Sequence, residues 1–241
     1  MISCPGPRGM ISTKLAALVL AGFAAGPACR ATPPEPRPSP FPTSVQTPGD
    51  ATRAAGPDER PVILFLGTSL TAGLGLDPSE AYPSLVQQKL DAAGLRYRVV
   101  NAGVSGETSA GALRRIDWLL RQPMAVLVLE TGANDGLRGQ DPEATRANIQ
   151  AILDAARRRE PPPRLVLAAM EALPNYGEVY RRRFRAIYPE LAKANGATLV
   201  PFLLDGVAGD AALNQPDGIH PTAEGQARVA ENVWKALRPL L

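Results

Sequence analysis

One histidine, His220, is present in the whole chain, and it follows Asp217 by three residues in Asp217-Gly218-Ile219-His220-Pro221. Imidazole, with an ordinary pKa of about 6.5, can take and return a proton at neutral pH. Any acid or base chemistry through imidazole therefore falls to His220. A serine hydroxyl is a poor nucleophile until such a base removes its proton. The imidazolium that forms needs a carboxylate to orient and stabilise it, and Asp217 can turn back to do this. The serine is Ser69, delivered by the apolar run Val62-Ile63-Leu64-Phe65-Leu66-Gly67-Thr68-Ser69. A tetrahedral adduct also needs donors aimed at its oxyanion. The N–H groups of Ser69 and Gly106 and the side-chain amide of Asn134 make such a set. Together these residues spell acyl transfer.

Each residue also has a purely structural explanation. Ser69 and Asp217 could be helix caps, Gly132-Ala133-Asn134-Asp135-Gly136 a turn, and His220 a loop residue beside Pro221. Their placement decides between the two readings. Strands are predicted at Val62 to Leu66, Arg98 to Asn101, Ala125 to Glu130, Leu165 to Met170 and Thr198 to Phe202. Helices are predicted at Tyr82 to Ala93, Thr108 to Arg121, Pro142 to Arg159, Val179 to Asn195 and Pro221 to Leu237. Alternating strands and helices imply crossover connections, a parallel sheet and helices on both faces. In such a sheet ligands sit outside the carboxyl ends of the strands. Ser69, Gly106 and Asn134 each follow a strand, and Asp217 and His220 precede the last helix, so four remote segments converge on one edge.

The 241 residues, 45% hydrophobic and 20% charged, suffice for one well-buried domain. With 26 basic and 23 acidic residues the net charge is +3, too mild to point to nucleic acid. The runs Arg157-Arg158-Arg159 and Arg181-Arg182-Arg183 read as solvated helix faces. Cys4 and Cys29 both precede the predicted domain, which leaves no disulfide framework and no Cys-based zinc site inside it. A single histidine argues against a multi-His metal site, and no metal or organic cofactor is implied by the reading as a whole.

Residues 1–30 have the layout of a secretory signal, with Arg8 and Lys14 before the apolar run Leu15 to Ala25; Met10 is an alternative start. That run, about a dozen residues long, is shorter than the roughly 20 needed for a stable membrane span. Gly26-Pro27-Ala28-Cys29 is similar to a bacterial lipoprotein box, although Gly26 stands where Leu is usual. Lipidation of Cys29, which would anchor the protein to a membrane, competes with ordinary cleavage after a small residue. Residues 31–60, rich in Pro, Thr, Ser and Ala, read as a disordered tether. The folded domain is expected over 61–241.

On these blocks the chain resembles the SGNH or GDSL-type serine hydrolases, from about Val62 to Leu241. It is most similar to their bacterial acyl-thioesterase, lysophospholipase and arylesterase branch. That branch is matched also by Gly132-Ala133-Asn134-Asp135-Gly136-Leu137-Arg138-Gly139, Asn175-Tyr176-Gly177 and Ile187-Tyr188-Pro189-Glu190-Leu191-Ala192. The resemblance implies a three-layer α/β/α, flavodoxin-like domain of about five parallel strands in a periplasmic, membrane-anchored or secreted protein. It implies Ser69 as nucleophile, Asp217 and His220 as acid and base, and Ser69, Gly106 and Asn134 as oxyanion donors. Leu137, Arg138, Asn175 and Tyr176 fall on the substrate side. The implied substrates are small-molecule acyl esters or thioesters, cleaved through an acyl-serine intermediate.

One departure concerns Thr68, where the family usually has Asp. The α/β-hydrolase nucleophile motif, Gly-x-Ser-x-Gly, is not met, because Thr71 stands at its second glycine. Two rival functions remain, a carbohydrate or peptidoglycan O-acetylesterase and a non-catalytic envelope protein that binds lipid or glycan. Turnover is expected to fall in acid as an imidazole base protonates, and the pH profile of kcat checks this; a profile that does not fall in acid would exclude an imidazole base.

Overall fold

In the computed structural model the described residues are 59–241. The expected export signal, Cys4, Cys29 and nearly all of the expected tether lie outside them.

The predicted strands form one parallel five-stranded sheet in the order β2-β1-β3-β4-β5. Their bounds are β1 Val62–Gly67, β2 Arg98–Gly103, β3 Val126–Glu130, β4 Arg164–Ala168 and β5 Thr198–Val200. Strands β1 and β3 are continuous apolar runs because both of their faces are covered. Ile63, Phe65 and Leu66 in β1 and Val126 to Leu129 in β3 are fully buried, and burying each such side chain stabilises the fold by about 1.5–3 kcal/mol. The helices are α1 Ser69–Ala72, α2 Tyr82–Ala92, α3 Ser109–Leu119, α4 Ala133–Leu137, α5 Pro142–Arg157, α6 Gly177–Asn195 and α7 Ala223–Leu237. Helices α2 and α7 pack together on one side of the sheet; α3, α5 and α6 pack in sequence on the other.

The three-layer α/β/α, flavodoxin-like arrangement expected from the sequence is present. Its strand order has a functional consequence. The chain passes from β1 to β2 on one side of β1 and later reaches β3 on the other, and this reversal opens a crevice at the carboxyl end of β1. The register sets Gly67 opposite Gly103 and Leu66 opposite Leu129. Glu130 therefore lies level with Gly67.

Several boundaries differ from expectation. β2 continues to Gly103, whereas β4 ends at Ala168 and β5 at Val200. The final helix begins at Ala223 rather than Pro221, because the Thr222 side chain accepts the Gly225 N–H and caps it. Gly132 to Gly136 is not a simple turn: Ala133 onward forms the short helix α4. The four-residue α1 has too little hydrophobic periodicity to be read from sequence.

Candidate active site

Ser69 stands where β1 ends and α1 begins. Thr68, not Ser69, caps α1: its backbone is extended and its hydroxyl accepts the Leu70 N–H. Ser69 is the first residue of the helix, so its N–H belongs to the group that a helix leaves without an intrahelical acceptor. Leu74 N–H donates to the Ser69 carbonyl at 3.1 Å and folds the chain back over the turn. The Asn101 amide donates to the Thr71 carbonyl at 2.8 Å. Gln226, from α7, donates to the Leu70 carbonyl at 3.2 Å and accepts the Tyr82 N–H at 2.9 Å. β2 and α7 thus hold the four-residue turn from outside it.

The loop bearing Asp217 and His220 is tied to that turn by Gln215. Its side-chain amide donates to the carbonyls of Leu74 and Pro221 at 2.7 and 2.9 Å, while its own N–H donates to the His220 carbonyl at 2.7 Å. Asp217 Oδ1 accepts the N–H groups of Ile219 and His220 at 2.9 and 3.0 Å, and its Oδ2 lies 2.6 Å from His220 Nδ1. His220 Nε2 lies 2.8 Å from Ser69 Oγ. A carboxylate only accepts, so Nδ1 carries the proton, Nε2 is the free lone pair, and the Ser69 hydroxyl donates to it. The arrangement can move a proton from Ser69 Oγ onto an imidazole already paired with a carboxylate.

The donors on Asp217, led by the His220 N–H, then the His220 ring and the Ile219 N–H, hold its carboxyl down at about 2. The contribution of this carboxylate is present above the ordinary carboxylate range and is lost only as pH falls towards about 2.

Across the crevice, Gly106 has φ +78°, a conformation open mainly to glycine, and is exposed at the end of the loop after β2. The Asn134 side-chain amide donates to the Glu107 carbonyl at 3.0 Å, which brings α4 against the Gly106 loop. That leaves its second N–H for another acceptor. Asp135, next in sequence and fully buried, accepts from the Ser109 N–H at 2.8 Å and the Ser109 hydroxyl at 2.5 Å, and so joins α4 to the start of α3. Arg115 braces the same loop with two bonds to the Glu107 carboxylate, at 2.7 and 2.6 Å, and one to the Ala102 carbonyl at 2.7 Å.

Of the four residues expected on the substrate side, Leu137, Arg138 and Tyr176 are joined to the Gly106 loop or to one another. Arg138, exposed, donates to the Gly106 carbonyl at 3.2 Å. The Tyr176 hydroxyl donates to the Leu137 carbonyl at 2.8 Å. Asn175 is exposed in the short 3-10 turn Pro174–Tyr176. Sequence reading missed Glu130, Asp135, Arg115 and Gln226, which touch the candidate residues or their loops. Glu130 had one visible signal, as the only charged residue of an otherwise apolar strand. Thr68 now has two partners: besides capping α1, its hydroxyl donates to Glu130 at 2.9–3.0 Å, which an ionised Asp could not do.

A model of the GDSL-like lipase/acylhydrolase family matches residues 65–228. The esterase TesA of Pseudomonas aeruginosa is 42% identical over 180 residues, which cover 74% of this chain and 89% of that protein. The thioesterase 1/protease 1/lysophospholipase L1 of Escherichia coli K12 is 40% identical over 191 residues, covering 78% of this chain and 88% of that one. Among solved structures, that of TesA superposes with a TM-score of 0.71 at 42% identity, over 75% of this chain and 99% of its own.

A methyl group added at Gly67 would meet Thr71 Oγ1 at 1.9 Å and Glu130 Oε2 at 2.7 Å. Gly67→Ala is therefore expected to lower stability by about 1–3 kcal/mol through overpacking and to reduce turnover by shifting α1. Urea unfolding and steady-state kinetics read both effects, and an unchanged midpoint would contradict the packing account.

Proposed function

The chain belongs to the GDSL-like lipase/acylhydrolase family, and from that premise we propose that it hydrolyses carboxylic esters and thioesters through an acyl-serine intermediate on Ser69. The observation that carries this reading is the unbroken hydrogen-bond chain from Ser69 Oγ to His220 Nε2 at 2.8 Å and from His220 Nδ1 to Asp217 at 2.6 Å. It stands at the carboxyl edge of the sheet.

In this reading His220 removes the Ser69 proton as Oγ attacks the substrate carbonyl carbon. The carbonyl oxygen becomes an oxyanion and takes hydrogen bonds from the N–H groups of Ser69 and Gly106 and the amide of Asn134. Collapse breaks the bond to the alcohol or thiol, and the leaving group receives the proton from His220. Water, deprotonated by the same imidazole, then attacks the acyl-serine, and the carboxylic acid departs as Ser69 regains its proton.

The substrate is a small-molecule ester or thioester, and Leu137, Arg138, Asn175 and Tyr176 border it. Leu173 and Tyr176 are exposed apolar side chains in the loop after β4, which suits an acyl or aryl group. The domain acts outside the cytoplasm, exported by the signal in residues 1–30, with Cys29 as the candidate lipid anchor. No helix among the described residues is long and apolar enough to cross a membrane.

A fluorophosphonate probe is expected to label the wild type and to leave Ser69→Ala unlabelled; a folded wild type with neither labelling nor esterase activity would favour a binding protein. Asn134→Ala is expected to lower kcat by about a hundred- to thousandfold, and wild-type turnover would remove Asn134 from the oxyanion set. A panel of aryl esters from acetyl to decanoyl, with acyl thioesters alongside, separates the substrate classes. Activity that persists on longer chains is expected; collapse beyond acetyl points instead to carbohydrate O-acetylesterase activity.

A further inference from the structure

We propose that Glu130 is a positioning residue for the nucleophile: from the end of β3 its buried side chain grips Thr68 and Thr71, one on each side of Ser69, and so fixes where Ser69 Oγ lies. This rests on Ser69 being the nucleophile.

The carboxyl of Glu130 is fully buried, and the sheet register brings it level with Gly67 on the neighbouring strand. Three donors converge on it. The Thr68 N–H lies 2.7 Å from Oε2, the Thr68 hydroxyl 2.9 Å from Oε2 and 3.0 Å from Oε1, and the Thr71 hydroxyl 2.9 Å from Oε2. In this geometry the hydroxyls of both Thr68 and Thr71 donate to the carboxyl oxygens. The Tyr82 hydroxyl, 2.7 Å from Thr71 Oγ1, then donates to Thr71, and the oxygen of Thr68 is left to accept the Leu70 N–H. Every polar group around Ser69 is thereby given one direction.

Burial pushes the Glu130 carboxyl up, and the bonds from Thr68 and Thr71 oppose that rise. Placing an ionisable group here is costly, and an apolar side chain of similar volume at a buried site is often as stable or more so. What the carboxyl provides in return is a pair of oxygens that together receive three donors. The close approach of Gly67 to both Thr71 and Glu130, where no Cβ would fit, shows that strand and turn are packed around this contact. Its value to function follows from the geometry of attack, since a displacement of about 1 Å at a reacting atom can cost roughly a hundredfold in rate.

Glu130→Gln keeps the shape and one acceptor oxygen but turns an NH2 group towards donors. Turnover is measured per active site, counted by fluorophosphonate labelling carried to completion, well below the unfolding temperature. The expected result is a fall in kcat of about 10- to 100-fold, with KM within about twofold and slower labelling. A kcat per labelled site within about twofold of wild type, whatever the change in Tm, overturns the proposal, since a merely structural role would move Tm alone.

Should Glu130→Gln fail to fold, Thr71→Val and Thr71→Ser decide. Loss of kcat in the first, with recovery in the second through its restored hydroxyl, supports the proposal; wild-type kcat in Thr71→Val overturns it. A wild type that is not labelled at Ser69 overturns the nucleophile reading and the positioning role with it. A labelled wild type with an unaffected Glu130→Gln overturns the positioning role alone.

Discussion

The chemistry proposed for this protein hangs on one hydrogen bond of 2.8 Å between Ser69 and His220, residues 151 positions apart in sequence. Closing so long a loop has an entropic cost, and a single hydrogen bond contributes only about 0.5–1.5 kcal/mol net. The bond therefore cannot hold its own partners together. The parallel sheet does so by burying β1 between β2 and β3, and α7 does so by carrying the loop that follows β5 back to the same edge. Gln215 and Gln226 complete the closure, each bonded across more than 140 residues to the turn around Ser69.

Three acidic side chains near the site differ in environment, and their work differs accordingly. Asp217 is largely exposed and keeps its charge because backbone donors face it. In the proposed reaction it orients and stabilises the His220 imidazole as that ring changes charge. Glu130 and Asp135 are fully buried, so each is satisfied by protein donors alone. Asp135 gathers the Ser109 N–H and hydroxyl and joins the Asn134 helix to the Gly106 loop. Glu130 gathers the donors around Ser69. The proposed nucleophile and oxyanion donors are thus braced by separate buried carboxyl groups, one at the end of β3 and the other in α4 just beyond it.

Much of this was legible in the residues. β1 and β3 could be read as strands because burial on both faces demands an unbroken apolar run, and α5 could be read because Pro142 suits the first turn of a helix. Ser69, Gly106, Asn134, Asp217 and His220 stood out because each lies just past a strand or just before the last helix, where an α/β sheet presents its ligands. Less legible were the elements that owe their form to contacts rather than to pattern. The half-exposed β2 runs on to Gly103 because pairing with β1 extends it. α4 forms in a sequence of turn residues because its Asp135 is anchored by α3.

Residue types and spacing by themselves determined that acyl transfer was the available chemistry: one histidine, a carboxylate three residues before it, and a serine at the end of a buried strand. They also determined the layered fold, since strand and helix periods follow from local backbone geometry. Tertiary structure alone decided how the parts meet. Whether the imidazole reaches Ser69, whether the Asn134 amide reaches the Gly106 loop, and what Thr68 bonds to depend on distances between segments remote in sequence. Glu130 is the sharpest case. As a letter at the end of β3 it could have been a solvated strand terminus, and only the register of β3 against β1 turns it inward onto the residues that flank Ser69.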